Sequence, residues 1–286
     1  MKLGVLANSS KPKAAEVLAQ LAEGAERRGF DLWACGDARK HLPGARACEP
    51  AVLGANVDVL MVLGGDGTML HAVRAIEGAD VPILGVNIGS LGFMTSVPQA
   101  RLDDALDALA VRTYAISERT MFACTLHRRG TAMGPYFALN DIVIGWGESS
   151  RVVTLGVKID GADVSEYVCD GLIISTPTGS TGHSLSAGGP IVQPGAPVFV
   201  LNPICPHTLS NRPMVISDDR RIEIRVCASD KRQLLVIDGQ DQHAMERGDR
   251  VDLSRADRRV RFIHLPGFSY YELLRQKLNW RGSSTA

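Results

Sequence analysis

Val57-Asp58-Val59-Leu60-Met61-Val62-Leu63-Gly64-Gly65-Asp66-Gly67-Thr68 is where the chain declares its architecture. The near-continuous apolar run from Val57 to Leu63 is the pattern of a strand buried on both faces, as in a parallel sheet. Glycines follow at once, and residues 68–77 then place Leu70, Val73 and Ile76 at helical spacing. Pro82 to Val86 returns as an apolar strand. This succession predicts a βαβ unit, and with it a parallel sheet carrying helices on both sides.

The flanking sequence extends the pattern. Upstream, Lys2 to Leu6 reads as a short strand ended by Asn8-Ser9-Ser10. Pro12 to Arg28 reads as a helix, with Val17, Leu18, Leu21 and Ala25 inward and Gly29 placed to stop it. Phe30 to Ala34 is the next strand. After about residue 118 the character changes to short strands split by turn residues: Phe137 to Ile144, Arg151 to Ile159, Gly171 to Ser175, Val198 to Leu201, Arg221 to Cys227, Gln233 to Ile237 and Arg259 to His264. Alternation such as Arg221-Ile222-Glu223-Ile224-Arg225-Val226 leaves one face wet, so residues 119–265 read as a second, mostly antiparallel β domain beside the α/β domain of residues 1–118. Phe268 to Trp280, with Leu273, Leu274 and Leu278, reads as a closing helix.

Bulk composition narrows the function. The 286 residues are 45% apolar and 22% charged, ordinary for a globular chain with a sizeable core. Lys plus Arg number 31 and Asp plus Glu number 31, so no net field points to nucleic acid or a membrane surface. The six cysteines have no paired or metal-ligand spacing and read as reduced thiols of a cytoplasmic protein. No apolar run has membrane-spanning length and no signal pattern opens the chain.

The sharpest local signal is Gly64-Gly65-Asp66-Gly67-Thr68 between a buried strand and a helix start. Glycines allow a tight turn and a close ligand, and the free N–H groups of a helix start make an anion site. Gly64, Gly65, Gly67 and Thr68 are therefore the candidate phosphate-binding residues. The loop is not a Walker A motif, since G-x-x-x-x-G-K-[ST] is absent. A carboxylate inside a phosphate loop repels its ligand unless it takes a proton from an attacking hydroxyl or holds a bridging metal. The bland reading is that Asp66 caps the following helix. A second glycine-rich junction, Gly85 to Phe93, repeats the theme; Phe93 is either a surface for a flat base or a core residue.

Farther on, Tyr136 to Trp146 reads as one strand, yet Asn140-Asp141 stands inside it. The pair marks either a turn or a site whose amide and carboxylate suit a vicinal diol such as ribose. Cys169 to Pro190 leads a strand into a loop crowded with hydroxyls and glycines and lacking Lys or Arg, which suits a base, an amide or a sugar better than bare phosphate. The alternative is a structural Ser/Thr loop. No G-x-S-x-G occurs, so a serine-hydrolase elbow is unsupported. Arg255, Arg258, Arg259 and Arg261 fit a solvated strand, His207 has no evident partner, and Asp238-Gly239 reads as a hairpin turn first and a ligand site second.

Together these motifs resemble the NAD kinase family over essentially the whole chain: Gly4 to Pro12, Gly64 to Thr68, Gly89 to Thr95, Asn140-Asp141, Asp170 to Pro190, Asn202 to Pro213 and Tyr271 to Trp280. The Gly-Gly-Asp-Gly-Thr element also occurs in lipid kinases and phosphofructokinases; its combination with Thr-Pro-Thr-Gly-Ser-Thr and Ser-Ala-Gly-Gly-Pro is specific. The resemblance implies an α/β domain joined by the C-terminal segment 266–286, and a β-sandwich NAD-binding domain, with NAD in the cleft between them. It implies that Asp66 is the catalytic base for the adenosine ribose 2′-hydroxyl. It assigns NAD contacts to Asp66, Gly67, Phe93, Asn140, Asp141, Asp170, Thr181, Gly182, His183, Ser186, Cys205 and Gln240. ATP with a divalent cation, magnesium by expectation, is the implied donor, with polyphosphate used by some bacterial members. A homodimer or homotetramer is implied, one subunit helping to complete a neighbour's site. The departure is Gly182-His183, where most members carry Ala-Tyr. A lipid kinase fits less well, because Met69-Leu70-His71 follows the glycine motif where those enzymes carry Asn-Glu. A dinucleotide sensor that has lost catalysis has no need of Asp66.

Overall fold

A computed structural model describes residues 1–76, 78–89, 92–145, 152–229 and 232–280. Glu77 at the end of the expected helix, Ser90 and Leu91 of the second glycine junction, and Trp146 and Arg151 at the ends of expected strands lie outside the described residues. The chain divides into two compact units: Met1–Glu118 with Val260–Ala286, and Arg119–Arg259.

In the first unit the chain runs β1 (Lys2–Ala7), α1 (Ala14–Arg27), β2 (Asp31–Ala34), β3 (Arg46–Ala47), α2 (Pro50–Asn56), β4 (Val59–Gly64), α3 (Asp66–Ala75), β5 (Ile83–Asn87), β6 (Val97–Pro98) and α4 (Leu102–Ala110). The strands are parallel in the order β3-β2-β1-β4-β5-β6. Every residue of β4 is buried, which explains its unbroken apolar sequence. Period-two alternation sends Val59, Met61 and Leu63 into one core with Val17, Leu18 and Leu21 of α1 and Leu102, Leu106 and Leu109 of α4. The expected helix after the glycine turn begins two residues earlier than its apolar pattern indicated, so Asp66 is its first residue rather than part of the loop.

The second unit follows β7 (Ala115–Arg128), β8 (Thr131–Ala138), β9 (Asp141–Gly145), β10 (Val153–Ile159), β11 (Ala162–Cys169), β12 (Gly171–Ser175), a helical turn α5 (His183–Ser186), β13 (Val198–Ile204), β14 (Met214–Ser217), β15 (Ile222–Ala228), β16 (Gln233–Ile237), β17 (Asp241–Met245) and β18 (Arg250–His264). A six-stranded antiparallel sheet runs β14-β13-β12-β9-β16-β17. Its inward residues Ile142, Leu172 and Phe199 share one core with Leu155, Val157 and Ile224 of the facing β10 and β15, a two-layer sandwich. From Val260 the last strand belongs to the first unit, where Phe262 pairs parallel with Ile83, and α6 (Tyr270–Lys277) follows as the last helix described.

The expected single strand from Tyr136 onward is two strands. β8 pairs with β7, β9 pairs with β12 and β16, and the break falls at Leu139–Asn140. Its cause is a carboxylate from far along the chain.

Candidate active site

Begin at the glycine turn. β4 ends at Gly64 and α3 starts two residues on, which folds Thr68 back over the strand end. A Cβ on Gly64 would lie 2.2 Å from Thr68 Oγ1, so only glycine fits. The Gly65 N–H donates to that hydroxyl at 3.4 Å. Helix starts leave N–H groups unbonded, and here they open onto the turn.

The Asp66 carboxylate does not serve as the cap of its own helix. The N-cap position belongs to Gly65. One Asp66 carboxylate oxygen accepts from the Phe93 N–H at 2.8 Å and the other from the Met94 N–H at 2.9 Å. Those donors belong to the second glycine junction, whose shape is set by Asn87. Its buried amide donates to Thr95 Oγ1 at 3.0 Å and accepts from the Gly89 N–H at 2.7 Å. Gly92 makes room: a Cβ there would lie 2.1 Å from Asp66 Oδ1. The two glycine junctions thus form one device that fixes a carboxylate at the end of β4, leaving lone pairs on both oxygens for a substrate. Phe93 is half-buried, and Lys277 of α6 lies 5.4 Å from its ring centroid. Sequence reading placed the closing helix but gave no sign of this contact.

In the second unit, Asn140 and Asp141 sit where β9 begins, and Asp238 organises them. Its carboxylate accepts from the N–H groups of Leu139 at 2.8 Å, Asn140 at 2.7 Å and Asp141 at 3.2 Å, while its own N–H donates to the Asp141 carbonyl. These bonds take the donors that a continuing strand would need, which breaks the run. Asp238 is buried at φ 51°, in the left-handed region where Asp is among the better tolerated residues. The sequence showed Asp238 as the start of a turn first and a ligand site second; nothing local revealed a partner 97 residues away.

Asp141 is 6% exposed. Burial, reinforced by the Asp238 carboxylate, pushes its pKa up to about 7. Asn140 Oδ1 is shielded from solvent and has no hydrogen-bond partner among the described residues. A buried unsatisfied acceptor costs about 1–3 kcal/mol, which a ligand donor would recover.

The hydroxyl-rich loop divides by role. Thr176 donates through Oγ1 to the Leu139 carbonyl at 2.6 Å and through its N–H to the Asn140 carbonyl at 2.8 Å. Ser180 Oγ donates to the Pro177 carbonyl at 2.7 Å and accepts from the Val192 N–H at 3.0 Å. Gly179 packs so tightly that a Cβ would lie 2.1 Å from the Asn140 carbonyl oxygen. These groups are scaffold, so the structural reading holds for them. Thr181, Gly182, His183 and Ser186 remain partly or fully exposed on the turn leading into and through α5. Burial lowers the His183 pKa. Gln240 is exposed just past the Asp238-Gly239 turn, at the same end of the sheet because Ile237 pairs with Ile142.

Asp170 and Cys205 are not brought to this cluster. Asp141 is in register with Ser175 at one end of β12, whereas Gly171 pairs with Ile204 at the other. Asp170 precedes and Cys205 follows that far pair, roughly 16 Å away at about 3.3 Å per strand residue. Cys205 is exposed, with φ 45°. Among the described residues no group of three or more His, Cys, Asp or Glu could hold a metal ion, and no helix is long and apolar enough to cross a membrane.

Residues 3–114 match the family model described as ATP-NAD kinase N-terminal domain, and residues 139–265 that described as ATP-NAD kinase C-terminal domain. The chain is 39% identical over 286 residues to the NAD kinase of Syntrophotalea carbinolica, covering 98% of each. It is 44% identical over 223 residues to that of Geobacter metallireducens, covering 78% of this chain and 79% of the relative. Two solved structures, each 24% identical, share the fold. Yeast NADH kinase complexed with NADH has a TM-score of 0.91, covering 99% of this chain and 89% of that one. An NAD kinase from Archaeoglobus fulgidus in complex with ATP has a TM-score of 0.77, covering 98% of each.

Proposed function

The chain belongs to the ATP-NAD kinase family, and on that footing we propose that it transfers the γ-phosphoryl group of ATP to the 2′-hydroxyl of the adenosine ribose of NAD, giving NADP. The observation that carries this reading is the Asp66 carboxylate, fixed by two backbone N–H groups at the mouth of a glycine turn built for phosphate. Such a carboxylate is suited to take the proton that must leave an attacking hydroxyl. The ribose 2′-oxygen attacks Pγ as its proton passes to Asp66. The bond from 2′-oxygen to Pγ forms, the bond from Pγ to the β,γ-bridging oxygen breaks, and ADP departs with that electron pair. Asp66 then gives its proton to water.

Asn140 Oδ1 accepts from the adenosine, and Asp141 accepts from its ribose hydroxyls. Phe93 stacks against the adenine. Thr181, Gly182, His183, Ser186 and Gln240 line the rest of the dinucleotide, and Gly64, Gly65, Gly67 and Thr68 hold phosphate. Magnesium would arrive as a cation carried on the donor's phosphates, since it keeps several waters and is held largely through substrate phosphates, with no dedicated protein site among the described residues. When bound it supplies neutralising charge to the phosphates. We assign Asp170 and Cys205, at the far end of β12, to the site of a neighbouring copy in a homodimer or homotetramer. We place the enzyme in the cytoplasm, where its thiols stay reduced.

A coupled assay for NADP formed from NAD and magnesium-ATP tests the reaction. Formation of NADP that depends on both substrates is expected. Binding of NAD without turnover would make the chain a sensor, and phosphorylation of diacylglycerol instead would make it a lipid kinase.

A further inference from the structure

The acceptor of the proposed reaction has two ends that one base could serve. NAD carries a 2′-hydroxyl on each ribose, one beside neutral adenine and one beside a nicotinamide ring that is positive in the oxidised form. Asp66 and Phe93 by themselves favour the positive end. The Asp66 carboxylate accepts from the N–H groups of Phe93 and Met94 at 2.8 and 2.9 Å, so a negative charge stands at the backbone of Phe93. Coulomb attraction draws a positive ring toward it. The π face of a phenylalanine also attracts cations. A counter-charge at this ring restores the preference for adenine, and the closing helix brings one.

α6 is capped by Ser269, whose side chain accepts from the Glu272 N–H at 3.3 Å, and it buries Leu273 and Leu274. Lys277 lies four and three residues beyond those leucines, on the same face of the helix. Its stem therefore follows the covered side while its ammonium emerges at the rim. The ammonium comes to 5.4 Å from the Phe93 ring centroid. Arg275, the other cation of the last turn, reaches back to Glu272 at 3.8 Å.

We propose that Lys277 sets the orientation of the dinucleotide: its charge over Phe93 keeps the positive nicotinamide ring off that side chain, so adenine stacks there and the adenosine 2′-hydroxyl meets Asp66. This rests on the kinase reading above, in which Phe93 stacks adenine. A cationic ring stacked on Phe93 opposite Lys277 would lie about 10 Å from the ammonium. Repulsion over that distance at a half-exposed site shifts the ratio of two binding modes roughly three- to tenfold. NADH is neutral at both bases, so the same charge does not sort its riboses.

The test compares wild type, Lys277→Met and Lys277→Arg, each with magnesium-ATP and either NAD or NADH. The pyrophosphate of the product is cleaved and the two halves are weighed by mass spectrometry. This tells phosphate on the adenosine ribose from phosphate on the nicotinamide ribose. With NAD, Lys277→Met should raise the share of the nicotinamide-side isomer roughly three- to tenfold over wild type, and Lys277→Arg should keep the wild-type share. With NADH all three proteins should give one share. The assignment is overturned by an unchanged share, or an undetectable isomer, in Lys277→Met with NAD. An equal rise in Lys277→Arg overturns it too, as does an equal rise with NADH, the result expected if Lys277 merely props the Phe93 ring. Should Lys277→Met lack the wild-type melting transition, Lys277→Gln takes its place under the same criteria. Absence of any phosphorylated dinucleotide from wild type would sink the kinase reading and this assignment with it, whereas product without the charge effect sinks the assignment alone.

Discussion

Two aspartates, one in each unit, stand at strand ends beside glycine-bearing turns, and they are built in opposite ways. Asp66 spends its side chain on backbone: both carboxylate oxygens accept N–H groups from the neighbouring junction. Asp141 has its backbone held, by Asp238, and its carboxyl left buried against a second carboxylate. The first arrangement fixes a position. The second fixes a position and also makes protonation sensitive to surroundings near neutral pH. A base that must meet a substrate oxygen needs the former, whereas a binding group can tolerate the latter.

The largest expected effect separates the two roles. Asp66→Asn should lower turnover about a hundredfold or more, the scale for loss of a general base, while NAD binding and the melting transition persist. Stopped assays beside calorimetry check it; a rate near wild type would reduce Asp66 to a scaffold group. Next, Asp238→Asn should lower stability by about 2–3 kcal/mol, because three backbone N–H groups, two of them buried, lose a charged acceptor. Denaturant unfolding measures this, and an unchanged midpoint would mean that water replaces Asp238.

Third, Asp141→Ala should weaken NAD binding by about 1.5–3 kcal/mol, the range for a hydrogen bond to a charged group. The pH sign follows from linkage. An unfolded Asp titrates near pH 4, and folded Asp141 near 7, so between these values the native state holds the extra proton. Wild-type stability should therefore fall as pH rises through that window and level off above it. Asp141→Asn should flatten the slope, and melting curves at about pH 5 and pH 8 would show the gap between the two proteins change. If ionised Asp141 accepts from ribose, affinity for NAD and NADH should weaken alike below about pH 7.

The smallest effect belongs to His183. Its pKa is lowered by burial, so its charge appears only on the acid side of the ordinary histidine range. If the imidazole lies near the nicotinamide, its protonation should weaken binding of the positive ring of NAD more than of NADH, an asymmetry that Asp141 cannot produce. His183→Tyr should abolish the asymmetry and keep activity. Michaelis constants for both dinucleotides from about pH 5 to pH 8 settle it; parallel profiles in both proteins would leave His183 a space-filler.

Much of this was legible in the sequence because it is local. The unbroken run of β4, the alternation of β15 and the helical spacing of α1 each follow from what a single element must bury. Gly64 to Thr68 declared its turn for the same reason. What stayed hidden depends on distant partners. Tyr136 to Trp146 reads as one strand in the sequence, since nothing nearby shows that Asp238 claims the N–H groups of Leu139 and Asn140. Lys277 over Phe93 and the Phe93 and Met94 donors to Asp66 are likewise tertiary. Helices α2 and α4 went unread; α2 is only seven residues long, too short for its periodicity to stand out.

Gly92 carries a consequence for descent. A methyl group there would collide with Asp66 Oδ1 at 2.1 Å, so alanine becomes tolerable only once the carboxylate is gone or displaced. Losing Asp66 first, however, removes the carboxylate that we propose as the base, and with it the activity on which selection would act. Neither order of two single changes passes through a working enzyme. The two positions are thus inherited as a unit, and a library that randomises them one at a time should return only the parent at both.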